Sequence, residues 1–268
     1  MNSGNPADPN DWCKKMPPYR SFLQHPRIKA LRLRFAPQTA FVQARLSPQS
    51  YLGLQLTLGV VILMGASWLF GGIAEDVVTG DPLTLVDFQV AQWLHAHATP
   101  RLTEGMLVLT HMHETLPITF AVIILGAWLA WKRNWYWLLC VSITVPLGML
   151  LNVMMKYAFQ RARPAFDDPL LVLTTYSFPS GHVAGSTLFY GVVAAMLLAR
   201  INAWRWRALI MLAAIGLVAL VALTRMYLGV HYLSDVLAAF ALGVAWLTLC
   251  LTGINTYWQH RFLARAKK

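Results

Sequence analysis

The feature that most narrows what this chain can become is a recurrence of apolar stretches from Tyr51 to Thr252. Each is about 20 residues long, enough for a helix to cross a hydrocarbon core. A chain that is 57% hydrophobic and only 12% charged has too little polar surface for a soluble domain of this size. The expectation is an all-α integral membrane protein. Read against turn and charge signals, the spanning helices are expected at Tyr51 to Ala74, Thr103 to Trp131, Trp135 to Met155, Val183 to Ala199, Trp206 to Leu223 and Tyr232 to Leu251. Three regions follow: a basic leader over 1–50, a six-helix membrane domain over 51–255 and a basic tail over 256–268.

The leader is polar and proline-rich, without the apolar core of a cleavable signal, so the first apolar helix is expected to stay as an anchor. Its basic residues, concentrated in 25–34, suit either simple orientation or contact with anionic lipids. Cys13, Cys140 and Cys250 build neither a disulfide framework nor a zinc site. The formal charge of +11 does not point to nucleic acid, because no basic run is interleaved with aromatics on a soluble domain.

Topology explains the excess better. Six crossings put both termini on one side, and all but five of the 22 Lys and Arg residues fall on that side, in the leader, the tail and the connections holding Lys132, Arg133, Arg200, Arg205 and Arg207. By the positive-inside rule that side is cytoplasmic, in a plasma (inner) membrane. The five exceptions are Arg101, Lys156, Arg161, Arg163 and Arg225. Cations held at an outer boundary against the rule suggest an anion site there. Between the first two spans, Glu75 to Pro100 reads either as an interfacial helix with Leu85, Phe88, Ala91 and Leu94 on one face and Trp93 beside it, or as a packed loop.

Three clusters at that boundary carry chemistry. Lys156 and Arg163, seven apart and followed by Pro164, would share a face two turns apart if the stretch stays helical. Pro179, Ser180, Gly181 and His182 precede the fourth span, where Gly181 permits close backbone approach, Ser180 offers a hydroxyl and the helix start offers free N–H groups to phosphate. Thr224 and Arg225 precede His231 and Asp235, which are four apart, so the carboxylate can fix the imidazole tautomer and leave the other nitrogen free. Gly229 supplies a bend between Arg225 and His231. Each cluster alone has an ordinary structural explanation; their gathering at one membrane face does not.

In order and spacing these clusters resemble the type 2 phosphatidic acid phosphatase (PAP2) family, whose signature is KxxxxxxRP, PSGH and SRxxxxxHxxxD. The chain reads KYAFQRARP, PSGH and TRMYLGVHYLSD, departing only at Thr224. The signature covers residues 156–235, and the helical pattern extends the resemblance over about 51–252. The resemblance implies a six-helix bundle that hydrolyses a lipid phosphate or diphosphate without metal or other cofactor. It implies His231 as nucleophile through a phosphohistidine, Asp235 as its orienting carboxylate and His182 as proton donor. Lys156, Arg163, Arg225, Ser180 and the Gly181 N–H would hold the phosphoryl oxygens.

Undecaprenyl diphosphate is the favoured substrate, with phosphatidic acid, phosphatidylglycerol phosphate and a lipid A phosphate as alternatives. Transfer to an acceptor other than water is a further enzymatic alternative. An anion or lipid transporter is the rival outside enzymes. The expected partners are the lipid substrate and the surrounding membrane lipids; oligomeric state is unread. His111, His113 and Glu114 in the second span suit a buried hydrogen-bond cluster, headgroup contact or polar lining of the cavity or, least, a metal site. Asp167 and Asp168 read as a solvated loop.

Overall fold

The computed structural model describes residues 53–266, with side chains to residue 261. The basic leader lies outside the described residues. From Leu58 onward the chain forms one compact unit.

The described residues form eight helices: α1 Leu54–Thr79, α2 Pro82–Ala96, α3 Pro100–Met112, α4 Thr115–Trp131, α5 Trp135–Phe159, α6 Gly181–Leu198, α7 Trp204–Tyr227 and α8 Leu233–Ala266. Five of them, α1, α5, α6, α7 and α8, are individually long and apolar enough to span a membrane. The sixth expected span is not one continuous helix. It is the pair α3 and α4, bent by 44°. Pro117, in the first turn of α4, lacks the N–H that a continuous helix would bond to the His113 carbonyl, and its ring would press on that carbonyl. The chain therefore breaks at His113 and restarts from Glu114 as N-cap. Expected helix ends also shift: α1 runs past Ala74, and α8 continues through residues expected to form the tail.

Helix α6 is the central element, packed on α5, α7 and α8. Side chains that are small at the crossings allow this. A Cβ at Gly148 of α5 would lie 2.7 Å from Trp246 Cδ1, and one at Gly243 of α8 would lie 2.8 Å from Thr187 Cγ2. Such close approach replaces the water-driven packing that lipid cannot supply. Leu129, Cys140, Val141, Val192 and Cys250 fill the core farther from the site. Large apolar side chains instead face outward along α1, α4 and α7, among them Trp68, Ile124 and Leu212.

Both α5 and α7 end, and both α6 and α8 begin, at the same end of the bundle, so the three signature clusters meet there. At the other end Lys132 lies over Trp131 and Arg200 over Trp128, cations with aromatics as at a headgroup boundary.

Candidate active site

Helix α5 stops at Phe159, with Gln160 in a left-handed C-cap at φ 46°. Arg163 therefore does not stand two helical turns from Lys156 but lies on the loop that follows. It still returns to the site: Nη1 donates to the Val230 carbonyl at 2.6 Å, and Nε donates to the Thr175 carbonyl at 2.6 Å. Lys156 Nζ donates to the Tyr176 carbonyl at 2.6 Å. Both cations thus brace the 160–180 loop over the site.

That loop ends at Phe178, fully buried against Phe70 and Phe159, with a cis bond to Pro179. This apolar anchor fixes Ser180 as the N-cap of α6, but the Ser180 hydroxyl makes no cap bond and, though buried, has no partner. The leading N–H groups of α6 therefore point toward the site with the positive end of the helix dipole. A Cβ at Gly181 would stand 3.5 Å from Asn152 Oδ1, itself buried without a partner.

On the third cluster α7 ends at Tyr227, and Gly229 takes φ +67°. The expected bend is there, and it turns His231 back beside Arg225. His231 precedes α8 rather than lying within it, yet its Nδ1 is 3.3 Å from Asp235 Oδ2. A carboxylate only accepts, so Nδ1 carries the proton and Nε2 keeps its lone pair. Nε2 faces Arg163 Nη1 at 3.3 Å. Burial pushes the His231 pKa down to about 3, against the opposing pull of Asp235. That favours the neutral ring at physiological pH.

A cavity of about 720 Å³ opens beside these groups and is lined by Lys156, Arg163, Gly181, His182, Arg225 and His231. It continues along α4 and α5 past Ile118, Val122, Pro146 and Met149. One end is cationic and the other apolar, a shape that matches a charged headgroup carried on a lipid tail. Arg225 is almost wholly buried; Nη1 donates to the Thr110 hydroxyl, while Nε and Nη2 have no partner. Buried donors without acceptors are costly, and an anion in the cavity would satisfy them. Nε2 of His182 is likewise buried and unpartnered. Thr224, the departure from the signature, turns its hydroxyl to the Val221 carbonyl at 2.7 Å and offers no hydrogen to the cavity.

The broken span contributes too. His113 lines the cavity, held by the Leu109 carbonyl at Nδ1 and the Tyr190 hydroxyl at Nε2, each at 2.8 Å. It combines the hydrogen-bond cluster and the cavity lining that the sequence left as alternatives. His111 pairs with Glu114 at an exposed position. Among the described residues no three His, Cys, Asp or Glu side chains cluster as a metal site would require. Asp167 and Asp168 are exposed.

Two residues important to this geometry escaped the sequence reading. Arg161, noted only as an outer cation, donates from Nη1 to Asp235 Oδ1 at 2.7 Å and from Nη2 to Asp87 Oδ2 at 2.8 Å. Burial opposes its charge, but Asp235 and Asp87 outweigh burial and hold its pKa above the ordinary value. Asp87 comes from α2, the helix that was one of the two readings of this connection; its inward stripe is Asp87, Ala91 and Leu94, while Leu85 and Phe88 are exposed. The available signal was a lone acid one turn before Ala91.

Residues 135–259 match the PAP2 superfamily. Phosphatidylglycerophosphatase B of Bacillus subtilis is 32% identical over 146 residues, 54% of this chain and 71% of that protein. The chain belongs to the PAP2 superfamily. Another relative, an undecaprenyl-diphosphatase of Sulfolobus acidocaldarius, is 33% identical over 119 residues, 42% of this chain and 53% of that one. The crystal structure of a transmembrane PAP2-type phosphatidylglycerolphosphate phosphatase from Bacillus subtilis aligns at TM-score 0.64 and 27% identity, covering 70% of this chain and 93% of that one. Aquifex aeolicus LpxE, at TM-score 0.50 and 20% identity over 62% of this chain and 94% of that one, shares the fold. Of the signature positions, Lys156, Arg163, Gly181, His182, Arg225 and His231 line the cavity.

Proposed function

We propose that this PAP2 protein removes a terminal phosphate from a membrane lipid by way of a phosphohistidine on His231, at the outer face of the plasma membrane. The observation that carries the reading is the neutral, carboxylate-oriented imidazole facing a cavity that Lys156, Arg163 and Arg225 also line, with two donors of Arg225 unpartnered.

His231 Nε2 attacks phosphorus while the bond to the lipid oxygen breaks, and that oxygen takes a proton from His182. A bound phosphate supplies the negative charge that favours the protonated form of His182. Asp235 supports the positive charge that develops on His231. Water then attacks the phosphohistidine, returning a proton to His182 and releasing inorganic phosphate. Lys156, Arg163, Arg225, Ser180 and the Gly181 N–H hold the phosphoryl oxygens as their charge redistributes. Cationic side chains do here what magnesium does in many phosphotransferases, so activity should survive chelation.

The apolar run of the cavity favours a substrate with a long hydrocarbon tail. The relatives named for phosphatidylglycerophosphate and undecaprenyl diphosphate mark the two substrates to test first, and the undecaprenyl diphosphate is our leading choice. The test is phosphate release by purified protein from a panel of these two, phosphatidic acid and a lipid A phosphate, with turnover mixtures quenched in alkali. A labelled, acid-labile phosphoprotein should form and should vanish in His231→Ala. Persistence of that label in the variant would refute the nucleophile, and no release from any lipid would refute the phosphatase.

A further inference from the structure

Behind the nucleophile, on the side away from the cavity, lies a buried ionic chain that extends from Asp235 to residues outside the signature positions. Asp87 and Asp235 are both fully buried, and the Arg161 guanidinium joins them. Ser234 ties the same groups together: its hydroxyl accepts from Arg161 Nη1 at 2.6 Å and donates to Asp87 Oδ2, while its N–H donates to Asp87 Oδ1 at 2.8 Å. Every oxygen of both carboxylates is occupied. On Asp235, Oδ1 takes Arg161 and Oδ2 takes the Tyr232 N–H at 2.9 Å and His231 Nδ1. The Arg161 guanidinium also lies over the Tyr232 ring, 4.4 Å from its centroid.

We infer that Asp87 and Arg161 are positioning residues for the phosphatase reaction, Arg161 fixing which oxygen of Asp235 faces His231 and Asp87 neutralising Arg161 so that Asp235 keeps its charge for His231. The charge count gives the reason. Asp87, Arg161 and Asp235 together carry one net negative charge, which remains available when His231 becomes cationic in attack. Without Asp87, the Arg161–Asp235 pair is neutral and that support is withdrawn. The residue completing the count comes from α2, outside the 135–259 segment that matches the superfamily. The connection after the first span thereby becomes a part of the active centre rather than only a surface element.

The inference rests on His231 as nucleophile, which the alkaline-quench experiment decides separately. Its own test is steady-state phosphate release from mixed micelles by full-length Asp87→Asn, Arg161→Lys and the double variant Asp87→Asn with Arg161→Gln, each checked for folding by its thermal unfolding midpoint. Asp87→Asn should lower kcat by about 10- to 100-fold, the range seen when partners that orient reacting histidines on metals are removed, with KM changed less than about threefold. The double variant, having lost more hydrogen bonds, should nonetheless turn over faster than Asp87→Asn, because its neutral back wall again leaves the Asp235 charge uncancelled. A merely structural role predicts additive losses instead. Folded Asp87→Asn with parental kcat, or a double variant slower than the single, would overturn the inference while leaving the phosphohistidine result standing. If Asp87→Asn does not fold, Arg161→Lys decides: one ammonium cannot bridge two carboxylates as a guanidinium does, so an unchanged kcat there is equally fatal.

Discussion

Substituting Gly181 by Ala separates the needs of the fold from those of the substrate. The new Cβ would stand 3.5 Å from Asn152 Oδ1 and 3.9 Å from Lys156 Cε, ordinary contact distances. The Gly181 backbone is not in the left-handed region, so no strain is added. Removing a glycine's freedom from the unfolded chain, if anything, stabilises by about 0.4–1 kcal/mol. The unfolding midpoint should therefore stay level or rise slightly. Activity should respond very differently, because the methyl group occupies the approach to the leading N–H groups of α6, beside the unpartnered Ser180 hydroxyl. Losing one preorganised donor to a developing oxyanion costs about 10²–10³ in kcat, roughly 3–4 kcal/mol. Obstruction of this N–H should approach the lower figure. The assay is phosphate release at saturating lipid in mixed micelles, on the preparation used for thermal unfolding. An Ala variant within about threefold of the parent would mean that phosphate does not approach the helix start. A large fall in midpoint would mean that the space read from the structure is not there.

Three further outcomes follow from particular groups. His182→Ala should cripple hydrolysis of an alkyl phosphate far more than of an aryl phosphate, whose leaving oxygen needs no proton; equal losses would remove the proton-donor role. Gly229→Ala should lower stability by about 1–3 kcal/mol, because its φ is +67° and the new Cβ would lie 2.9 Å from Phe166 Cε2; an unchanged melting temperature would refute this. The folded-state pKa of His231 is lowered from 6.5 to about 3, so the unfolded chain binds more protons between those values. The stability present above about pH 6.5 should then drain away as pH falls toward 3. Thermal midpoints measured across that range should show the slope, and His231→Gln should flatten it.

The membrane class of the protein, its approximate spans and the three clusters were legible in the chain because each depends on local pattern: apolar length, basic distribution, and spacing that one helix or turn can satisfy. The pairing of His231 with Asp235 is of this kind, since a carboxylate in the first turn of α8 reaches back to the residues just before that helix. The break in the second span was legible in principle, because Pro117 and the polar residues His111, His113, Glu114 and Thr115 before it are local signals, but the apolar stretches on either side read as one span. Arg163 shows the limit of spacing arguments: it reaches the site although the helix assumed in placing it ends earlier, because the loop folds back over Val230.

The sequence by itself determined the three clusters and the end of the bundle at which they gather, since hydrophobic length and short-range spacing leave few other arrangements. Only the tertiary structure decided what stands behind them. Asp87 and Asp235 are far apart in the chain and meet through Arg161 because α2 packs against α7 and α8. Nothing local dictates that a lone acid on a connecting helix must turn inward. The physical reason lies in hydrogen bonding: with Nη1 of Arg161 on Asp235, the largely buried guanidinium still needs an acceptor for Nη2, and only the packed fold determines which helix brings it.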